Sequence, residues 1–361
     1  MSVSRISVAL FTVLTLILSA ASPAQQAQQA QKKRNIVILA TGGTIAGAAA
    51  SGTQAGYTSG AVTIDAMLAA VPGIDKLASI KGEQVSNVGS QDMSFDILLK
   101  LAKRINELTA KPDVDGIVIT HGTDTMEESA YFLNLTAKTD KPVVLVGSMR
   151  PSTAVSADGP LNLYNAVAVA ADPNAKSRGV LVVMNDEIHA AHSLTKISTT
   201  AVETFMSPKR GIVGTVHYGK ADYYNNPTWK HTKQSEFDVT NVTKLPRVDV
   251  IFADLDMAPA MITTDVAGGD VKGLVIAGVG NGNMNKGSVD AAAAAVKKGV
   301  VVVRSSRVPT GVVGRNVELD DDKLGFIASD ELNPQKSRIL LTLALLKQRT
   351  PADLQKLYYT Y

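Results

Sequence analysis

The sequence predicts an α/β protein. It has two α/β domains: a larger N-terminal one built on a parallel-type sheet flanked by helices, and a smaller C-terminal one. Three observations carry this. Short β-branched runs alternate with longer stretches whose apolar residues recur at helical spacing. The alternation lapses once, over residues 225–247, where Tyr, Asn, Pro, Lys and Thr gather without a period. It then resumes to the C-terminus, and a chain of 361 residues is long enough for two cores.

Taken in order, residues 1–24 open with a short basic segment ending at Arg5, continue with an apolar run over 6–18, and end in small residues. That is the pattern of a secretory signal peptide, with Ser22 and Ala24 at the −3 and −1 positions, or Ser19 and Ala21 as a second option. It predicts a periplasmic or secreted protein. Residues 25–34, rich in Gln and Ala and without apolar periodicity, are expected to be a flexible tether. In the N-terminal domain, expected over 35–224, residues 35–40, 116–120, 142–146 and 180–184 read as buried parallel strands. Ser94 is placed to cap a helix carrying Ile97, Leu98, Leu101, Ile105 and Leu108 on one face. A second helix is expected to start near Thr123 and Asp124, and a third to cover 161–171. After the 225–247 linker, the C-terminal domain over 248–361 repeats the rhythm. Its strands are near 248–252, 273–277 and 300–303, and its helices near 288–298 and 337–347.

Composition excludes several function classes. Lys and Arg number 36 against 33 acids, a net charge of +3 that falls by one without Arg5. Such a balance is no footprint for nucleic acid or an anionic membrane. Apolar residues at 45% and charged residues at 19% are too hydrophobic for a disordered chain. The sole long charge-free apolar run is the leader, so no membrane attachment is expected after its removal. Cysteine is absent, which excludes disulfides, thiolate nucleophiles and cysteine-based metal sites.

The unusual residues collect where strands end, the edge at which parallel sheets bind ligands. Thr41-Gly-Gly-Thr-Ile-Ala-Gly47 lacks the Lys-Ser/Thr of a phosphate loop, and Gly278-Val-Gly280 does not complete a dinucleotide fingerprint because Asn283 follows. No Gly-x-Ser-x-Gly elbow occurs. His189 and His192 are spaced like metal ligands, but no carboxylate–histidine motif accompanies them; they are expected in a polar loop, and no metal or cofactor is expected. Hydroxyl chemistry remains. Thr44 lies just past a strand end among glycines, and Thr123 with Asp124 lies between a strand and a helix whose N–H groups can serve an oxyanion. A threonine hydroxyl needs a base. The candidates are Tyr57, within the Gly- and Ser-rich 51–60 stretch that reads as a closing lid, and Lys196, which must be neutral when it acts. Taken singly, Thr44 and Thr123 read as turn and helix caps, as most such threonines do.

The combination narrows this. Thr41-Gly-Gly-Thr-Ile-Ala-Gly47 together with His121-Gly-Thr-Asp-Thr-Met-Glu-Glu128 resembles the two signatures of the L-asparaginase/glutaminase family. Gly82-Glu-Gln-Val85, Gly89-Ser-Gln-Asp-Met93, Val146-Gly-Ser-Met-Arg-Pro-Ser152, Ser156-Ala-Asp-Gly159, Val279-Gly-Asn-Gly-Asn283 and Arg304-Ser-Ser-Arg-Val-Pro-Thr-Gly311 extend the resemblance over the mature chain. With a leader, it is similar to the exported bacterial type II enzymes. The resemblance implies hydrolysis of L-asparagine, and secondarily L-glutamine, by a threonine nucleophile without cofactor. It implies Thr44 as nucleophile with Tyr57 beside it, and Thr123, Asp124 and Lys196 as a second catalytic set. Ser90 then holds the substrate α-carboxylate, and Gln91 and Asp124 surround its ammonium. Ser148, in place of the Ala common there, offers its carbonyl to the amide. Glu318 and Asn281 are implied to come from a neighbouring subunit of a homotetramer. A dual glutaminase–asparaginase is the alternative; such relatives often have Glu where Gln91 stands. A tRNA-dependent amidotransferase subunit is disfavoured by the leader, and a binding module without turnover by the two hydroxyls plus Lys196.

Overall fold

The computed structural model describes residues 33–54 and 56–361; the leader expected over 1–24 and most of the tether lie outside the described residues. Eight strands form the larger sheet: β1 (Arg34–Gly42), β2 (Ala78–Val88), β3 (Gly116–Thr120), β4 (Val143–Val146), β5 (Val180–Met184), β6 (Glu187–Ala190), β7 (Gly214–His217) and β8 (Lys220–Tyr223). Their order is β8-β7-β6-β5-β4-β3-β1-β2. β2, β1, β3, β4 and β5 are parallel, whereas β6, β7 and β8 join antiparallel. The sheet expected to be of parallel type is therefore mixed. The reversal occurs at Asn185 and Asp186, whose φ angles of 50° and 63° link Met184 to its partner Glu187. Two consecutive left-handed residues make the tight turn that sends a strand straight back, and Asn and Asp tolerate that conformation best after Gly. Strand β2 was not anticipated. It is an edge strand, so it lacks the unbroken apolar run that marked its neighbours.

The central strands bury both faces. Val37, Leu39, Ile117, Ile119, Val143, Leu145, Val180 and Val182 point to one core, and Ile36, Ile38, Val118, Val144, Val146, Leu181 and Val183 to the other. On the first face lie α1 (Phe95–Thr109) and α2 (Met126–Thr136), and on the second α3 (Gly159–Ala171). Ser94 caps α1 as expected, its side chain accepting from Ile97 N. Helix α2 starts at Met126, after the Thr123–Asp124 loop, which leaves both of those residues free for other contacts.

The smaller sheet is parallel, in the order β9 (Arg247–Phe252), β10 (Val271–Gly278), β11 (Val301–Ser306) and β12 (Phe326–Ala328). Helices α4 (Ala260–Ala267) and α5 (Lys286–Lys297) cover one face; α6 (Pro334–Ala344) and α7 (Pro351–Tyr358) cover the other. The core under α6 is continuous with that under α1 and α2, so Val275, Val303 and Leu340 belong to one cluster with Leu39 and Ile117. Residues 224–246 hold a single 3₁₀ turn, Thr232–Gln234, yet Phe237 and Val239 are buried in that same core. Among the described residues no helix is long and apolar enough to cross a membrane.

Candidate active site

Strands β1, β3 and β4 end side by side, with Ala40 opposite Thr120 and Thr120 opposite Val146. The Thr41 hydroxyl donates to the Thr120 carbonyl at 2.8 Å, stitching the first two ends together. The loops that follow then pack backbone to backbone. A Cβ on Gly43 would lie 2.3 Å from Gly122 N, and Gly43 has φ +83°, so this position admits only glycine. That contact brings Thr44 and Thr123 to one place.

Thr44, in the short turn Thr44–Ala46, is 6% exposed. Its Oγ1 shares a 2.6 Å hydrogen bond with the Tyr57 hydroxyl. Tyr57 reaches it from a two-strand ribbon, Ala48–Ala49 with Tyr57–Thr58, its ring lying so close to Gly47 that a Cβ there would be 2.6 Å from Cδ2. The phenol remains 43% exposed, so the ribbon covers Thr44 from the solvent side.

Thr123 has a different partner. Lys196 Nζ donates to its Oγ1 at 2.9 Å and to Asp124 Oδ1 at 2.6 Å. The Thr123 hydroxyl itself points to Met149 Sδ at 3.4 Å. Lys196 is carried by a second ribbon, Thr195–Lys196 with Phe205–Met206. Ser90, buried in the turn Ser90–Asp92, accepts from Asp124 N at 3.1 Å and is seated against Gly122. The loop after β4 is pinned by Asp158, which accepts from Met149 N and Arg150 N, each at 2.9 Å; Ser148, fully buried, donates its hydroxyl to the Arg150 carbonyl. Gln91 is exposed, its amide bonded to Asp92 at 3.3 Å.

Six of the expected residues (Thr44, Tyr57, Ser90, Thr123, Asp124 and Lys196) thus meet around two hydroxyls. Asn281 and Glu318 do not join them. They lie on loops of the smaller sheet, where Asn283 donates to Glu318 and Gly314 N donates to Asn281 Oδ1 at 2.8 Å. No side-chain hydrogen bond among the described residues links either to Thr44 or Thr123. His189 and His192 are not in a polar loop. His189 lies in β6, bonded to Ser207 and Glu187, and His192 stacks on Trp229 with centroids 3.7 Å apart. Both are buried because the hairpin after Met184 turns the segment back into the core. No group of potential metal-binding side chains occurs among the described residues.

Two features escaped the sequence reading. Arg304, fully buried against Asp321, donates to the carbonyls of Asn281, Gly282 and Gly314, so it holds together the loops carrying Asn281 and Glu318. Glu127, buried in the first turn of α2, accepts from Thr195, Asn333 and Gln335 and faces Lys336. The available signal was a charged residue beside an apolar run: Glu127 in the mostly buried helix α2, and Arg304 directly after the three valines of strand β11. His121, at the end of β3, donates Nδ1–H to the Gly122 carbonyl; burial, the larger effect, pushes its imidazole down to about 4.

Residues 35–229 match the family description "Asparaginase, N-terminal", and residues 247–358 match "Glutaminase/Asparaginase C-terminal domain". The chain belongs to the asparaginase family. It is 53% identical to the protein named L-asparaginase 2 of Escherichia coli, over 91% of this chain and 93% of that one. It is equally 53% identical to a probable periplasmic L-asparaginase of Haemophilus influenzae, over 90% and 92%. A crystal structure of a probable cytoplasmic L-asparaginase from Campylobacter jejuni superposes with a TM-score of 0.88 at 48% identity, covering 91% of this asparaginase-family chain and all of its own.

Proposed function

We propose that this chain is an exported hydrolase that converts L-asparagine to L-aspartate and ammonia, with secondary activity on L-glutamine. One observation carries the reading: two threonine hydroxyls at adjacent strand ends each hold a separate proton partner, Tyr57 on Thr44 and Lys196 on Thr123. In this mechanism the Thr44 oxygen bonds to the side-chain amide carbon while Tyr57 relays its proton. The carbon–nitrogen bond breaks, the proton leaves with ammonia, and a β-acyl ester remains on Thr44. Water, activated through Thr123, Lys196 and Asp124, then hydrolyses the ester and restores the hydroxyl. Ser90 receives the α-carboxylate, Gln91 and Asp124 the ammonium, and the Ser148 carbonyl the amide. Glu318 and Asn281 serve the site of a neighbouring copy, in a homotetramer whose monomer is incomplete. Export rests on the pattern of residues 1–24 and on the name of the Haemophilus influenzae relative. N-terminal sequencing of protein from the periplasmic fraction should start at Gln25 if cleavage follows Ala24.

A coupled ammonia assay on both amides tests the reaction. One extra methylene is discriminated by about 1–3 kcal/mol, so a preference for asparagine of about tenfold or more is expected, with glutamine turnover still detectable. Equal kcat/KM for the two amides would make the chain a dual glutaminase–asparaginase. Tight aspartate binding without ammonia release would make it a binding protein.

A further inference from the structure

We infer that Thr195 and the buried Glu127 and Lys336 form a polar clamp that sets the position of Lys196 against Thr123, acting as positioning residues. The inference rests on the proposed function, in which Lys196 works on Thr123. Strand residues alternate in direction, so while Lys196 reaches Thr123 and Asp124, the Thr195 hydroxyl points the other way and donates to Glu127 Oε1 at 3.3 Å. Glu127 lies three residues beyond Asp124, so one stretch of chain grips both sides of this short strand. Lys336 completes the grip from the N-terminal turn of α6. Its Nζ donates to the carbonyls of His192, at 2.8 Å, and Leu194, and lies 3.8 Å from Glu127 Oε2. Gln335 and Asn333 donate to Glu127 at 2.9 and 3.0 Å.

The ribbon needs such a clamp. It has two residues per strand, and although Phe205 and Leu194 anchor its partner strand and its entry in the core, a cavity of about 380 Å³ flanks Thr195 and Lys196 themselves. A buried ion pair is weak as a source of stability, since an apolar pair can hold two helices as well. An apolar pair cannot bond two carbonyls and a hydroxyl just ahead of Lys196. Burial pushes the Lys336 ammonium down to about 8, with the Glu127 carboxylate opposing the shift.

Thr195 gives the cleanest test, because its variants keep the buried pair intact. Thr195→Val removes the hydroxyl while keeping the shape and strand preference of the residue, and Asn333 and Gln335 still bond Glu127, so the protein should remain folded. If the clamp positions Lys196, kcat for asparagine should nevertheless fall about tenfold with KM within about twofold, and Thr195→Ser should restore kcat. Amides 194–197 should exchange hydrogen faster in Thr195→Val and at the wild-type rate in Thr195→Ser. Wild-type kcat and exchange in Thr195→Val, or equal impairment in both variants, would overturn the clamp. Should the wild-type protein release ammonia from neither amide, the proposed function falls, while the exchange comparison still decides the clamp.

Discussion

Thr44 and Thr123 carry the same side chain, yet their neighbours give them different work. Thr44 meets a phenol and Thr123 an ammonium paired with Asp124. Thr44→Ala should lose several orders of magnitude in kcat, as removal of a nucleophile does, with aspartate binding partly kept. Thr123→Val should be comparably damaging. Turnover near normal in folded Thr44→Ala would reject the assignment, and an acyl group trapped on Thr123 would exchange the two roles. His121 supplies a prediction of another kind. Its imidazole titrates near 4 when folded against an ordinary value of 6.5, so folding favours the neutral ring. The stability this brings is complete above pH 6.5 and lost as pH falls toward 4, a difference of about 3 kcal/mol. Denaturant unfolding at pH 7 and pH 4.5 should therefore lose less stability in His121→Gln than in the wild type. The same loss in both would place the acid sensitivity elsewhere.

The ribbon that carries Tyr57 is the element on which access to Thr44 turns. It pairs only Ala48 with Thr58 and Ala49 with Tyr57, and both residues of its outer strand are exposed. So few backbone bonds make an element that opens easily. Residues 51–60 should exchange hydrogen slowly with aspartate bound and quickly without it. Equal exchange in the two states would count against a lid. At this scale the sequence was most legible where periodicity is local. Strands β3 and β5 fall on the residues expected, and the Ser94 cap holds. Edge strand β2 and the three-residue β12 were missed, since neither has an apolar run long enough to show a period. Helix α2 starts later than its capping residues suggested, because Thr123 and Asp124 turn toward Lys196 and Ser90.

Across the whole molecule, the smaller sheet bears on the site in two ways. Helix α6 reaches the Lys196 ribbon within the same chain, whereas Glu318 sits on a loop that makes no bond to the threonines of its own chain. If Glu318 completes the site of another copy, Glu318→Ala and Thr44→Ala should each be nearly inactive alone. Co-refolded, they should regain part of the activity, because some sites then hold both wild-type residues. No recovery in verified mixed oligomers would leave Glu318 without that role. Whatever depends on neighbours along the chain was readable beforehand: the α/β alternation, the glycines that free the strand ends, and the hydroxyls between them. These follow from side-chain period and backbone sterics over a few residues. Pairings between distant residues were not readable. Asn106, in α1, donates to the Thr136 carbonyl at the end of α2 across 30 residues. Gln335 meets Glu127 across 208 residues of chain. Nothing near either residue encodes that meeting. The fold made it by burying α2 and α6 in one core, where an unpaired charge is costly and each polar group must find a partner.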